Sequence, residues 1–423
     1  MTPFAAWMLA QEARALLTRL ARVKPFALVE SMLPAASLLP PAQVAIEHHL
    51  ALGRRDLEHQ VRGFIAWLAV HARSASAALA QRRFTLLRLR FNAALTQFDL
   101  FSDVVTQRSE SESGVWLSGL DAVAADALAL REPYYALPPI VCYLDRGAGA
   151  AIRRARTRLP GGGENPVAVI RVPRERMVGS GIASSLVHEV GHQAAALLDL
   201  VASLRPVLQA LQRGADRFVW QLWERWISEI VADFWAVARV GIASTLGLIA
   251  VVSLPRVFVF RIDIGDPHPS PWIRVLLSCA VGQALYPHAQ WERVASMWAS
   301  FYPLAGLAPA EAGLFERLRA SMATLVQLIA HHRPPRLRGR SLAEVLSAPE
   351  RAPAGLAHAW RHWQREPAAL YRARPSIVFA ALGQARIDGR LSPEDESRLL
   401  AKLLTHWALA STLQQAARCA APR

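Results

Sequence analysis

The stretch SSLVHEVGHQAAALL, Ser184 to Leu198, restricts what this chain can fold into more than any other. Its polar positions, Ser185, His188, Glu189 and His192, fall at i, i+3, i+4 and i+7, so a helix places them on one face. The rest of the surface is alanine, leucine and valine. A helix that is apolar around most of its circumference belongs inside a core, and ionisable groups taken there need partners. The fold therefore has to carry a second polar surface onto this face from elsewhere in the chain.

The five residues HEVGH suggest what the partners meet around. His188 and His192 stand one helical turn apart, so two imidazoles can converge on one tetrahedral zinc. Glu189, displaced by about 100° around the helix, then reaches the water at the open position. The competing reading is a pair of buried, hydrogen-bonded histidines. A catalytic zinc needs a third protein ligand. The metzincin pattern is excluded as its source, because Ala195 and Leu198 stand where that pattern needs glycine and a third histidine. The better source is SEIVAD, where Glu229 and Asp233 are one turn apart on a tryptophan-rich helix. Glu229 is the expected third ligand, and Asp233 is expected behind the metal, orienting an imidazole N–H. Both lie among Trp226, Ile230, Phe234 and Trp235, where carboxylates without a cation are costly.

With these residues in place the chain resembles the gluzincin metallopeptidases, defined by HExxH and a ligating glutamate within a downstream ExxxD. The alanine and aspartate that end EIVAD, and HPSPWIR at His268 to Arg274, resemble the CAAX-processing and heat-shock-type metallopeptidases, which carry HPxxxxR. The resemblance spans roughly residues 138 to 280. It implies a zincin-like core, one zinc per chain and a peptide or protein substrate. It also implies that His268 lies close to the metal as a donor to the developing oxyanion, with Arg274 as the alternative donor or as a brace for a nearby carboxylate. The strand PVAVIRVP takes the place of the family's substrate-binding edge strand, which makes Val167, Ala168, Val169 and Ile170 the expected peptide-aligning residues. The family's membrane spans are missing.

Other function classes find little support. The three cysteines, Cys142, Cys279 and Cys419, form no CxxC pair, which argues against a disulfide framework or a cysteine metal site. The net charge of +15 comes almost entirely from arginine, with Lys24 and Lys402 the only lysines. The arginines are scattered, and runs such as RRARTR (Arg153 to Arg158) and HHRPPRLRGR (His331 to Arg340) lack aromatic interleaving, so no specific nucleic-acid partner is expected. The N-terminus reads as an amphipathic helix and not as a signal peptide, giving a cytoplasmic expectation. The uncharged run from Val240 to Pro255 has 16 residues, short of the ~20 that a span requires. It is expected as a buried core helix, with membrane association as the alternative.

Periodicity completes the outline. Helices are expected over 1–135, with short buried strands in PPIVCYLD and PVAVIRVP separated by a glycine-rich turn. A zincin-like core covers 136–332, a Pro/Arg-rich linker 333–355 and a second helical region 356–423. The expected class is mainly α with a small β-sheet. IDGRLSPEDE (Ile387 to Glu396) faintly suggests a calcium loop, but Gln384 and Arg386 stand where acidic ligands should, and Ser392 with Pro393 reads better as a helix start. The expected activity is zinc-dependent peptide hydrolysis with Glu189 as general base. The alternative is a non-catalytic zincin-like module of a larger assembly, against which the intact Glu189 counts.

Overall fold

The computed structural model describes the chain apart from residues 24–30, 147–148, 160–162, 175–180 and 421–423 and the side chains at 182–183, 415 and 418–420. Lys24, part of the expected glycine-rich turn and the Cys419 side chain therefore lie outside the described residues. Helix accounts for 74% of the structure and strand for 4%, so the chain is mainly α with a small sheet.

Three long helices come first, α1 (Pro3–Arg22), α2 (Pro40–His71) and α3 (Ala77–Thr106). Side-chain oxygens start two of them: Thr2 Oγ1 accepts from the Ala5 N–H and Ser76 Oγ from the Leu79 N–H. Their apolar positions recur at helical spacing, as with Ile46, Leu50, Leu57, Val61, Phe64 and Leu68 in α2, and bury one face of each against the others. After α4 (Ser113–Leu128) come β1 (Ile140–Asp145), β2 (Ala151–Arg153) and β3 (Ala168–Pro173). The sheet order is β1-β3-β2, with β1 parallel and β2 antiparallel to β3.

The sheet divides two cores by its alternation. Cys142, Leu144, Ala168, Ile170 and Val172 enter the main core, whereas Val141, Val167 and Val169 pack on the cluster formed by α1 to α3. A buried ion pair fixes β1: Arg108 donates to Asp121 and to the Cys142 carbonyl, and Asp121 accepts from the Cys142 N–H. The strand expected as an edge is central. Val169 and Ile170 pair with β1 on one side and β2 on the other, so their backbone groups have no capacity left for a peptide. The free edge on that side belongs to β2, a three-residue strand that ends at the first arginine of the run.

The rest is helical: α5 (Gly181–Leu198), α6 (Leu200–Ala210), α7 (Arg217–Val240), α8 (Ile242–Val252), α9 (Arg256–Val259), α10 (Pro271–Leu285), α11 (Ala289–Phe301) and α12 (Pro309–His331). Then follow α13 (Leu342–Leu346), α14 (Pro353–Arg365), α15 (Pro367–Arg372), α16 (Pro375–Ile387) and α17 (Pro393–Ala420). Gly241, at φ +56°, ends α7 and turns the chain directly into α8. The run 240–255 is thus broken near its start, and α8 packs on α5 and α16. No helix among the described residues is long and apolar enough to cross a membrane. Ser392 accepts from the Asp395 N–H at the start of α17.

The C-terminal region joins the main core, as α4 does, while α1 to α3 keep their own. α17 packs on α4, and α16 packs on α7 and α8. The stretch 333–355, expected as a linker, is a series of short helical turns whose Leu337, Leu342 and Leu346 are buried in the main core. Asp126 of α4 ties the two ends of the chain together, accepting from Arg374 Nε at 2.8 Å and from the Ser376 N–H at 2.9 Å. Burial opposes ionisation of this carboxyl, but the Ser376 hydrogen bonds and Arg374 outweigh it and hold its pKa below the usual value. A depressed carboxylate stabilises the fold above its unfolded-state pKa and loses that contribution as pH falls through its folded-state pKa. Asp126→Asn should therefore be less stable than wild type at pH 7, with the gap closing below about pH 4. Chemical denaturation of both proteins across pH 3 to 7 checks this, and a gap that is constant with pH would remove the carboxylate from the account.

Candidate metal centre

Helices α5 and α7 meet at a glycine. A Cβ placed on Gly191 would lie 2.8 Å from both Cα and O of Ala232 and 3.1 Å from Cβ of Trp235. Glycine on one helix facing alanine on the other lets the backbones approach more closely than larger residues allow. The polar residues then face one another: His188 and His192 flank Gly191 on α5, and Glu229 and Asp233 flank Ala232 on α7.

Ligating atoms of His188, His192 and Glu229 lie within 4.8 Å of one another, close enough to hold one metal ion. His188 Nε2 is 3.1 Å from Glu229 Oε2, and His192 Nε2 is 3.4 Å from Glu229 Oε1. The opposite ring nitrogens are held from behind. His188 Nδ1 is 2.7 Å from Asp233 Oδ1, and His192 Nδ1 is 3.5 Å from Ser228 Oγ. Each imidazole thus turns its Nε2 toward Glu229, the orientation in which hydrogen-bonded histidines serve as ligands.

Arg274, from α10, grips Asp233 with two donors, Nε to Oδ2 at 2.6 Å and Nη2 to Oδ1 at 2.9 Å. Of the two expectations for this residue, bracing a carboxylate is the one its contacts match. It also lines the cleft in front of the ligands, and its nearest approach to Glu229 is 4.0 Å. Burial disfavours ionised Asp233, yet Arg274 and His188 more than compensate and hold it well below the carboxylate range. Burial also opposes charge on His188, but Asp233 and Glu229 raise its pKa to about 9. Glu189 is 8% exposed, and burial pushes its pKa up against the opposing influence of His188 and His192. Three carboxylates share the neighbourhood of one guanidinium, and the raised pKa of His188 is the same surplus of negative charge acting on an imidazole.

The cleft in front of these groups has a volume of about 140 Å³. His188, Glu189 and His268 line it, with Gly149 and Ala150 from the segment leading into β2 and with Ser244, Leu248 and Val251 of α8. His268 is half-exposed. Its Nε2 lies 3.3 Å from Glu229 Oε2 and its Nδ1 2.7 Å from Asp266 Oδ1. Asp266 also accepts from the His268 N–H at 2.9 Å, an Asx turn that fixes the loop. Val167, Ala168, Val169 and Ile170 are buried beneath and do not line the cleft.

Several contributors escaped the sequence pattern. Asp266 could have been found from the Asp-Pro-His turn signal. Gly191 hid among the unspecified positions of HExxH, and the α8 wall is assembled only by the turn at Gly241. No protein-family model, curated protein or solved structure matches the chain.

The glycine contact gives a direct test. Gly191→Ala should cost ~1 to 3 kcal/mol by overpacking. It should also weaken metal binding at least ~10-fold, because α7 must retreat and take Glu229 with it. Denaturation and metal titration measure the two effects. Unchanged affinity would mean that the helices can separate without moving the ligands.

Proposed function

We propose that the chain is a zinc-dependent metallopeptidase with a zincin-like core. The observation that carries this reading is the convergence of His188, His192 and Glu229 beside a cleft that also takes in Glu189. Two imidazoles and a carboxylate, without thiolate, suit zinc in a site with one position open for chemistry. The spacing agrees. Ligands ~2.1 Å from a tetrahedral ion stand ~3.4 Å apart, and the two histidine-to-Glu229 separations are 3.1 and 3.4 Å. Zinc bound here would supply Lewis acidity, polarising the scissile carbonyl and acidifying water toward a pKa of ~7.

The chain's own residues supply the remainder. Glu189 takes the proton of the attacking water and later passes it to the leaving amine. Asp233, braced by Arg274, keeps His188 in the ligating orientation. His268, whose Nδ1 is held by Asp266 while its Nε2 stands at the cleft 3.3 Å from Glu229 Oε2, would turn its Nε2–H to charge that develops on the carbonyl oxygen. An extended substrate aligns along β2, whose outer edge is unpaired among the described residues and whose leading residues Gly149 and Ala150 border the cleft.

Metal analysis with peptide-library cleavage tests the assignment. Glu189→Gln should keep about one zinc while losing nearly all hydrolysis, and Glu229→Ala should lose the metal outright. Zinc loss in Glu189→Gln equal to that in His188→Ala would make Glu189 a ligand and end the general-base role. Zinc-loaded wild type that cleaves no library peptide would favour a structural role for the metal.

His268 has a test of its own. His268→Ala should retain zinc and lower kcat by ~10² to 10³ with KM little changed, as removal of a donor used only in the transition state does. An unchanged kcat would return His268 to the role of a loop residue.

A further inference from the structure

On the other side of the His268 loop lies a second, larger cleft of about 600 Å³, formed by α6, the N-terminal half of α7 and the loop residues Ile264, Gly265 and Pro267. Arg205 and Arg225 line it, together with Phe218, 43% exposed, and Ile264, 62% exposed. The loop is the common wall: Gly265 and Pro267 face this cleft, and His268 faces the metal centre. Arg225 precedes Glu229 by one helical turn, about 6 Å along α7.

The cleft lining carries two guanidiniums against one carboxylate, that of Glu224. Neither guanidinium makes a hydrogen bond or close ion pair with any described residue. The acidic side chains around them make their hydrogen bonds elsewhere, although Glu224 keeps its charge and Asp263 feels Arg225 through space. Glu224, which also lines the cleft, accepts from Gln209 at 2.7 Å and from Gln212. Asp263 accepts from Arg261 at 2.6 Å and from the Gly265 N–H at 2.7 Å, and Asp266 holds His268. Two free guanidiniums beside an apolar platform recognise a carboxylate carried next to hydrophobic surface.

We infer that this cleft is a specificity subsite that selects a substrate carboxylate near the scissile bond, with Arg205 and Arg225 as the specificity-determining residues. The inference rests on the peptidase reading above. Arg225 and Glu229 share one helix a single turn apart, so a peptide extended at about 3.4 Å per residue across the His268 loop passes from one cleft to the other within a few residues. The carboxylate can come from a glutamate or aspartate side chain or from the C-terminus of a short peptide. No bond is made or broken in this cleft.

The test pairs cleavage with binding. Zinc-loaded wild type is given peptides that carry Glu or Gln at each position within three residues of the cut, as free acids and as C-terminal amides. Preference for Glu of at least ~10-fold in kcat/KM at one position, declining as salt rises, is expected. If the chain terminus is the recognised group, the free acid is preferred over the amide instead. The double variant Arg205→Glu/Arg225→Glu should keep its zinc and thermal stability and shift the preference to Lys at that position. Equal cleavage of all pairs by wild type, or the same preference in the double variant, overturns the inference. In parallel, Kd for fluorescent Glu and Gln peptides is measured on zinc-loaded Glu189→Gln, with and without the two arginine substitutions. If wild type cleaves nothing, the peptidase reading fails, and these Kd values judge the cleft alone. Tighter binding of the Glu peptide that is lost on charge reversal upholds carboxylate recognition, and indistinguishable values overturn it.

Discussion

Close approach of α5 and α7 at Gly191 and Ala232 is the constraint on which the candidate metal centre depends. Histidine and glutamate side chains are short, and donors on two helices can meet around one ion only when the backbones nearly touch. With no Cβ at Gly191, the Ala232 backbone occupies space that any other residue would fill. A polar cluster created in this way is buried by its own geometry, which raises the second demand on the fold. Every charge on the facing surfaces must find a partner.

The chain meets that demand with a relay. Arg274 holds Asp233, Asp233 holds His188, and His188 meets Glu229, so α10, α7 and α5 are joined through one line of charge-assisted contacts. Removing a member from a buried line of this kind strands its neighbour and costs ~3 to 5 kcal/mol. The surrounding tryptophans keep the helices from shifting out of register. Trp235 donates to the Ala127 carbonyl of α4, and Trp223 donates to Ser321 of α12 at 2.8 Å. Each adds a directional bond to a large buried surface, so α7 is fixed both in rotation and in position along its axis.

Much of this was legible in the residues, and what was not has identifiable causes. The two-turn spacing of Ser185, His188, Glu189 and His192 defined the face of α5, and the one-turn spacing of Glu229 and Asp233 defined that of α7. Such local periodicities survive folding because each helix is long and strongly patterned. Tertiary relations were less visible. The strand that begins at Ala168 reads as an edge but lies in the middle of the sheet. The edge position belongs to β2, which is too short for any alternation to register and runs directly into an arginine run. The stretch 333–355 looked like a linker because its prolines and arginines dominate the composition. Its leucines, placed where short turns aim them inward, decide the packing instead. Arg274 read as a donor to substrate or as a brace, and only the position of α10 shows that it grips Asp233 while also lining the cleft.

The loop from Ile264 to Pro269 joins the metal centre to the second cleft, and its rigidity follows from local chemistry. Prolines at 267 and 269 restrict the backbone on both sides of His268. The Asp263 carboxylate accepts from the Gly265 N–H and that of Asp266 from the His268 N–H, so two successive Asx turns fold the segment without any regular structure. At its far end Ser270 Oγ donates to the Val259 carbonyl at 2.7 Å, anchoring the loop at the start of α10. A half-exposed histidine can therefore hold a fixed position, because its backbone is pinned even though its ring is open to solvent. The same pinning makes the loop a stable partition. Whatever occupies the arginine-lined cleft contacts the wall that carries His268, so in the proposed reading recognition there and chemistry at the candidate metal centre would share one rigid element.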